Sequence, residues 1–222
     1  MTNKIVGIFG GAFDPVHKSH VKIAEQCIET IGMEKIIIVP TGVSPFKKEL
    51  TDEKTRLSIL QIAFSNDQYE ISDYELRQSK KDKNPSYTIN TLKFLTKESP
   101  SSFVLIMGSD ALATINQWYQ WEMILNYCHI LVVNRNDNAL KVDDLDSKVY
   151  DFVTKHKIDK LEDLSMKDNR GIYFANFPLL PFSSTDIRTK LSQKRSIENL
   201  VTPEVSDFIN KTASYTSDGH KI

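Results

Sequence analysis

Two histidines, three residues apart, follow a glycine pair near the start of the chain. Residues 10–20 read Gly-Gly-Ala-Phe-Asp-Pro-Val-His-Lys-Ser-His, directly after a short apolar run. Glycines let a backbone approach a ligand closely, and the first N–H groups of a helix bind anions. Histidine can donate in neutral or charged form near pH 7. We therefore expect Gly10, Gly11, His17 and His20 to bind phosphates and to stabilise charge while one is transferred.

A second candidate for anion binding lies near the other end of the chain. Residues 183–188 read Ser-Ser-Thr-Asp-Ile-Arg, and hydroxyl residues at a helix start leave neighbouring N–H groups available to a phosphate. Arg188 would lie in the first turn, where a cation opposes the helix dipole unless an anion is bound there. The alternative is an ordinary helix cap with a surface arginine.

Other residues could complete such a site. Lys47 and Lys48 follow Ser-Pro-Phe after the second predicted strand, and Arg135 follows the fifth. Either lysine, or Arg135, could reach a phosphate, although each alone is more often a surface charge. Residues 118–121 read Trp-Tyr-Gln-Trp, and a tryptophan stacked on a flat ring contributes about 1 kcal/mol beyond burial. Asp110 could accept from a ribose hydroxyl or cap a helix.

Zinc is a weaker interpretation of the histidine pair. A helical zinc pair prefers a spacing of four residues with a nearby glutamate, whereas His17 and His20 are three apart. Zinc needs three or four ligands, and no third ligand suggests itself. We therefore expect no metal bound by protein side chains.

The elements that must position these residues alternate between strand and helix. Runs rich in Ile and Val, mostly continuous rather than alternating, predict six strands, at 4–9, 35–40, 69–72, 103–108, 129–134 and 171–175. Helical patterns occur at 18–31, 54–65, 86–97, 110–126, 144–155, 185–193 and 203–211, and the polar stretches 77–85 and 136–144 are expected to be loops. This order predicts an α/β fold with a doubly wound, mainly parallel sheet. In such sheets ligands bind beyond the carboxyl ends of the strands.

Composition sets the limits of the interpretation. The 222 residues, 40% of them hydrophobic, suit one domain: a sheet with helices over about 4–182, a small phosphate-binding helical part over 183–211 and a frayed tail over 212–222. A net charge of −1 gives no global field toward nucleic acid or anionic lipid. Two distant cysteines, no signal peptide and no membrane-length apolar run predict a cytoplasmic protein. The oligomeric state is not indicated.

The two motifs together resemble a known superfamily of nucleotidyltransferases. Its signatures are Gly-x-Phe-Asp-Pro-x-His-x-Gly-His near the start and Ser-Ser-Thr-x-Ile/Val-Arg near the end. Within it, the chain is similar to the bacterial nicotinate-nucleotide adenylyltransferase family through the stretches 86–92, 107–110 and 118–119 and Asn134-Arg135. The resemblance covers roughly residues 4–210 and implies a Rossmann-like nucleotidyltransferase fold.

The resemblance also implies a reaction and a set of binding residues. The family joins ATP to nicotinate mononucleotide, with Mg²⁺, to give deamido-NAD and pyrophosphate in NAD biosynthesis. His17, His20 and Arg188 would be catalytic. The residues implied to bind ATP are Gly10, Gly11, Ala12, Phe13, His17, His20, Gly108, Asp110, Ser183, Ser184, Thr185 and Arg188. Those implied to bind nicotinate mononucleotide are Lys47, Thr88, Trp118, Tyr119 and Arg135, with Trp118 on the pyridine ring and the backbone amides of Thr88 and Tyr119 on its carboxylate.

The chain departs from the family pattern at several positions. Ala12 replaces a common Thr or Ser, Ser19 replaces the usual Gly, and Asn90 replaces a frequent Asp. The loop carrying Lys47 also lacks the Pro-Pro-His-Lys type of sequence. Ser19 adds a Cβ beside the expected ligand, which could alter nucleotide affinity.

Three alternatives remain open at the level of the sequence. The first is adenylyl transfer to another acceptor, either nicotinamide mononucleotide or phosphopantetheine, although Trp118 favours an aromatic acceptor. The second is a nucleotide-binding regulatory module without turnover, against which the histidine pair and Arg188 count. The third is a fragment like a class I synthetase, for which the chain is short and lacks the lysine-rich loop.

Overall fold

A single six-stranded parallel sheet forms the centre of the molecule. The computed structural model describes residues 3–46, 50–82, 84–97, 99–134, 142–168, 170–178 and 180–215. The strands are β1 (Ile5–Gly11), β2 (Lys35–Pro40), β3 (Tyr69–Ile71), β4 (Ser102–Gly108), β5 (His129–Asn134) and β6 (Ile172–Asn176). They pair in the order β3-β2-β1-β4-β5-β6, all parallel. The doubly wound parallel sheet predicted from the sequence is confirmed.

The strands are apolar on both faces because helices cover both faces of the sheet. Successive residues of one strand enter different apolar clusters, as the alternation of side chains requires. One cluster contains Phe9, Ile106 and Val133, and the other contains their neighbours Ile8, Leu105 and Val132. Continuous apolar runs therefore predict these strands better than an alternating pattern would.

Eight α-helices connect and flank the strands in the described part of the chain. They are α1 (Lys18–Glu29), α2 (Glu53–Ala63), α3 (Tyr74–Asp82), α4 (Thr88–Leu95), α5 (Ser109–Ala113), α6 (Ser147–His156), α7 (Ser184–Ser192) and α8 (Pro203–Thr212). The helical pattern at 110–126 resolves into the short α5 and the 3₁₀ turns Ile115–Gln117 and Trp121–Asn126. Each of these helices is too short to cross a lipid bilayer.

The expectation of a loop over 77–85 is wrong, because Tyr74–Asp82 forms α3. Among residues 74–81 of this helix, only Leu76 and Ser79, three residues apart, are buried, which is too narrow an apolar stripe to stand out in a charged sequence. An acidic residue in the first turn and two lysines in the last turn complement the helix dipole. Charge and tertiary packing therefore stabilise a helix that the hydrophobic pattern does not reveal.

The expected fraying from residue 212 onward is also corrected for the described residues. Helix α8 reaches Thr212, and Tyr215 is only 7% exposed because its ring joins the apolar cluster of Phe9. Residues 216–222 lie outside the described part, as does most of the predicted loop 136–144.

The sheet brings two predicted motifs to one edge. Strands β1 and β4 are neighbours at the centre, and the chain leaves them toward opposite edges of the sheet. This reversal opens a crevice at their carboxyl ends. The pair Gly10-Gly11 ends β1, and Gly108 ends β4, so both lie at the crevice.

Candidate active site

A cavity of about 610 Å³ occupies this crevice, a volume in the usual range for small-molecule sites. Eight of the residues expected to form the site line it. They are Gly10, Gly11, His20, Thr88, Gly108, Asp110, Trp118 and Tyr119. The other described candidates, Ala12, Phe13, His17, Ser183, Ser184, Thr185 and Arg188, lie outside this lining. Lys47 and Arg135 are outside the described residues.

The two histidines differ in position. His17 precedes the first turn of α1 and is 3% exposed, whereas His20 lines the cavity. Their rings stack with centroids 3.7 Å apart, and the backbone N–H of His17 donates to Nδ1 of His20 at 3.3 Å. In the neutral His20 ring the proton therefore lies on Nε2. Phe13 packs edge-on to His20 at 5.0 Å between centroids, and this contact orients the ring.

The opening turn and the Ser-Ser-Thr segment contact each other directly. Ser184 Oγ donates to the Pro15 carbonyl at 2.9 Å, and Arg188 Nη1 donates to the Asp14 carbonyl at 2.5 Å. The Arg188 guanidinium also donates to Thr185 Oγ1 at 3.2 Å. The backbone N–H of Lys18 adds a bond to the Leu200 carbonyl at 2.9 Å. The two predicted anion-binding segments thus meet at the start of α1, about 170 residues apart in sequence.

Helix α7 begins with the cap that its sequence predicts. Ser183 Oγ accepts from the backbone N–H of Asp186, and the Asp186 carboxylate accepts from the backbone N–H of Ser183. This reciprocal arrangement fixes the first turn of the helix. Because the guanidinium of Arg188 turns back toward this end, a positive charge and a helix N-terminus lie together, which suits an anion.

At the end of β4 the backbone approaches the cavity closely. A Cβ on Gly108 would lie 2.4 Å from Oδ1 of Asp110, so a side chain here would displace that carboxylate. Asp110 is exposed in the first turn of α5 and lines the cavity. The glycine therefore leaves room for an acceptor group at the cavity rim.

Aromatic side chains form part of the cavity lining. Trp118 is partly buried against the apolar cluster of Ile8 and still lines the cavity. Tyr119 is 52% exposed and lies beside Tyr87, with 4.8 Å between ring centroids. Thr88 opens α4, so its backbone N–H belongs to the helix start and has no partner within the helix.

Glu75 is a cavity residue that the sequence interpretation missed. It lies in α3 and lines the cavity. Its carboxylate accepts from Thr91 Oγ1 at 2.7 Å and interacts with Ser86 and the Gly42 backbone N–H. Burial raises the pKa of Glu75, and these hydrogen bonds oppose the rise. No sequence motif contains Glu75, because its role is to bond to segments that are distant in sequence.

Ser19, the departure from the family pattern, makes a specific contact. It is 5% exposed, and its Oγ donates to the Leu180 carbonyl at 3.0 Å. This bond ties α1 to the segment that leads into α7. The side chain of Ser19 therefore links the histidine turn and α1 to the residues that precede the Ser-Ser-Thr segment.

Within the described residues, no group of three or more His, Cys, Asp or Glu side chains is arranged to hold a metal ion.

Comparison with known proteins gives consistent similarities. A family model described as cytidylyltransferase-like matches residues 8–190. A Psychromonas ingrahamii protein named "probable nicotinate-nucleotide adenylyltransferase" is 33% identical over 213 residues, which span 95% of this chain and 96% of that protein. A Yersinia enterocolitica protein of the same name is 29% identical over 218 residues, or 96% of each chain.

Solved structures share the fold. The Plasmodium falciparum nicotinic acid mononucleotide adenylyltransferase complexed with NaAD superposes with a TM-score of 0.66 at 20% sequence identity. The match covers 96% of this chain and 97% of that one. The same enzyme complexed with APC gives a TM-score of 0.67, again at 20% identity and with the same coverage.

Proposed function

Because the chain belongs to the cytidylyltransferase-like family, we propose that it transfers the adenylyl group of ATP to nicotinate mononucleotide. The products are deamido-NAD and pyrophosphate, and the reaction belongs to NAD biosynthesis. The names of the full-length relatives support this acceptor. The observation that carries the proposal is the junction of the histidine turn with the Ser-Ser-Thr segment beside a cavity that is lined in part by aromatic side chains.

The reaction needs no nucleophile from the enzyme. A phosphate oxygen of nicotinate mononucleotide attacks the α-phosphorus of ATP in line, forming a new P–O bond. The bond between the α-phosphorus and the bridging oxygen breaks, and its electron pair leaves with pyrophosphate. The protein's task is to align two anions that repel each other and to stabilise the leaving charge.

The residues around α1 and α7 suit the triphosphate. His20 lines the cavity and can donate from Nε2, while His17 fixes the ring through stacking and its backbone N–H. Arg188, Ser184 and Thr185 lie across the same turn with the α7 N-terminus. Donors aimed at a developing charge are the largest source of catalysis in such sites. Gly108 and Asp110 would border the adenosine.

The aromatic side of the cavity suits the acceptor. Trp118 has a partly exposed indole for the pyridine ring. The backbone N–H groups of Thr88 and Tyr119 would donate to the nicotinate carboxylate, and a helix start favours a negative charge. These donors would discriminate nicotinate from nicotinamide.

We further propose that Mg²⁺ enters with ATP, held mainly by phosphate oxygens. When bound, it neutralises part of the phosphate charge. We also assign the enzyme to the cytoplasm, where its buried thiols Cys27 and Cys128 would stay reduced.

Product identification tests this function. The chain is incubated with ATP, Mg²⁺ and one acceptor at a time: nicotinate mononucleotide, nicotinamide mononucleotide or phosphopantetheine. We expect pyrophosphate release and the mass of deamido-NAD, with nicotinate mononucleotide as the best acceptor. A faster reaction with another acceptor would reassign the substrate, and the absence of pyrophosphate with all three would indicate a binding module.

A further inference from the structure

A buried polar cluster lies behind the histidine turn and has no role in the chemistry above. It consists of Asp14, Thr51, Arg56 and Tyr215, which are 4%, 8%, 1% and 7% exposed. They come from the turn, the residues before α2, α2 itself and the segment after α8. Burying polar groups this deeply costs free energy unless they interact with one another. The contacts within this cluster therefore matter for the stability of the fold.

Arg56 and Thr51 form hydrogen bonds with the histidine turn, at Ala12 and Asp14. The Arg56 side chain donates from Nε to the Thr51 carbonyl and from Nη1 to the Ala12 carbonyl, both at 2.9 Å. The backbone N–H of Thr51 donates to Oδ2 of Asp14 at 3.3 Å. Burial lowers the pKa of Arg56, and the charge of Asp14 opposes this change. The cluster thus balances a buried cation with a buried carboxylate.

Tyr215 completes this cluster from the C-terminal end. Its hydroxyl lies beside the side chains of Asp14 and Thr51, while its ring packs in the apolar core. Burial, followed by the charge of Asp14, raises the pKa of Tyr215 well above its usual range, so the phenol stays protonated and can act as a donor. Asp14 Oδ1, Thr51 Oγ1 and the Tyr215 hydroxyl are all buried, and none of the three forms a hydrogen bond of standard geometry within the described residues. In this part of the chain, these three polar atoms therefore have only one another to interact with.

The turn that these residues hold is conformationally demanding. Phe13 has φ +47°, a left-handed conformation that a bulky residue keeps only when its surroundings enforce it. The next two carbonyls, of Asp14 and Pro15, accept from Arg188 and Ser184. The buried cluster and the α7 residues therefore bond to adjacent groups of one short turn.

We propose that Tyr215 is a positioning residue, whose hydroxyl fixes the Asp14 turn and thereby the relative placement of His20 and Arg188. This inference rests on the proposed function. It adds a residue from the segment after α8, which does not line the cavity, to the groups that affect catalysis.

The test is the steady-state kinetics of Tyr215→Phe with ATP and nicotinate mononucleotide. The variant keeps the ring in the core and removes only the hydroxyl. We expect kcat to fall about tenfold or more, because small misplacements of reacting groups have large effects on rate. The KM for ATP should stay within about twofold, since the phosphate-binding donors remain present. Tyr69→Phe is the matched control, because Tyr69 packs on the same apolar cluster and should keep wild-type kcat.

A second variant separates positioning from general stability. Thr51→Val removes the hydroxyl that lies beside Tyr215 in the buried cluster, and we expect a loss of kcat similar to that of Tyr215→Phe. In the double variant the losses should be less than multiplicative, because both hydroxyls act through one carboxylate. If Tyr215→Phe does not fold, the kcat and KM of Thr51→Val decide the question alone.

Two results would overturn the inference. One is an unchanged kcat in folded Tyr215→Phe, or in Thr51→Val when only that variant folds, even if the melting temperature falls. The other is a purely multiplicative double variant. Failure of the wild-type protein to form deamido-NAD would instead reject the proposed function, so the two failures are distinguishable.

Discussion

His20 combines three contacts that orient one ring nitrogen. The backbone N–H of His17 donates to its Nδ1, the ring of His17 stacks on one face, and Phe13 packs edge-on. Nε2 is thereby assigned as the donor of the neutral ring, and the side chain lies at the cavity wall. The orientation is built before any ligand binds, which is what charge stabilisation in a transition state requires.

Replacing His20 with alanine should remove most of the turnover. Loss of one preorganised donor costs about 3 kcal/mol of transition-state stabilisation, or about a hundredfold in kcat. We expect the thermal midpoint of His20→Ala to change little, because the side chain is only partly buried. His156→Ala, on α6, is the control and should keep normal kcat. Full activity in His20→Ala would contradict its role.

Ser19 makes a separate contribution to stability. Its buried hydroxyl donates to the Leu180 carbonyl at 3.0 Å, and one such hydrogen bond contributes about 1 kcal/mol net. We expect Ser19→Ala to lower the free energy of unfolding in urea by about that amount. Ser192→Ala, which removes an exposed hydroxyl bonded to the Thr189 carbonyl, should have a smaller effect. Equal stability of the two variants would show that the Leu180 contact is unimportant.

At the scale of elements, β5 begins with a histidine that ties two segments together. His129 is fully buried; its Nε2 lies 2.6 Å from the Met166 carbonyl, and its Nδ1 accepts from the backbone N–H of Gly171 at 3.1 Å. A carbonyl only accepts, so the proton lies on Nε2 and the ring is neutral. Protonation would add a hydrogen on Nδ1 and break the bond from Gly171.

The fold should therefore lose stability in mild acid. Burial lowers the pKa of His129 below its ordinary value of 6.5. As the pH falls below 6.5, His129 becomes protonated in the unfolded chain but stays neutral in the folded chain. The free energy of unfolding therefore decreases. Above 6.5 this contribution is fully present. Urea unfolding between pH 7.5 and 5 measures it.

A substitution identifies the group responsible. His129→Gln should flatten the pH dependence of unfolding over this window relative to the wild type. If His129→Gln shows the same slope as the wild type, another group carries the effect.

How well each element can be predicted depends on how local its signal is. Most strands follow from continuous apolar runs, because parallel strands are buried on both faces. The edge strand β3 is the exception, since its central residue is exposed. Helix α3 does not follow, since its stabilising contacts include an ion pair between Lys80 and Glu53 of α2. The segment 110–126 has helical periodicity, yet Gln120 has φ +53°, and this left-handed residue separates the two 3₁₀ turns.

At the scale of the whole molecule, a bound polyphosphate would bridge the two ends of the chain. ATP at about 100 times its Kd should stabilise the folded state by about 2.7 kcal/mol, which raises Tm by about 5–10 °C for a protein of this size. We expect the shift to shrink clearly in Arg188→Ala and to persist in Arg170→Ala, whose guanidinium bonds to the Asn126 carbonyl. Equal shifts in both variants would exclude Arg188 from ATP binding.

The site is predictable from sequence only where a motif is continuous. His20 and Ser183 belong to continuous motifs, and the residue types in these motifs predict anion binding. Glu75 and Tyr215 do not, because each matters through partners that are far along the chain. A single sequence contains no sign that a tyrosine after the last helix reaches a turn at residue 14.

The long sequence separation between the partners of the histidine turn has a consequence during protein synthesis. The Pro15 carbonyl accepts a hydrogen bond from Ser184, and the Lys18 amide donates one to Leu200, so both bonds can form only after those later residues have been synthesised. A nascent chain can pair its first strands early, and the residues that line the cavity all precede residue 134, yet the histidine turn lacks these two partners until residues near 200 have left the ribosome. We therefore expect this turn to reach its final geometry only in the last stage of translation.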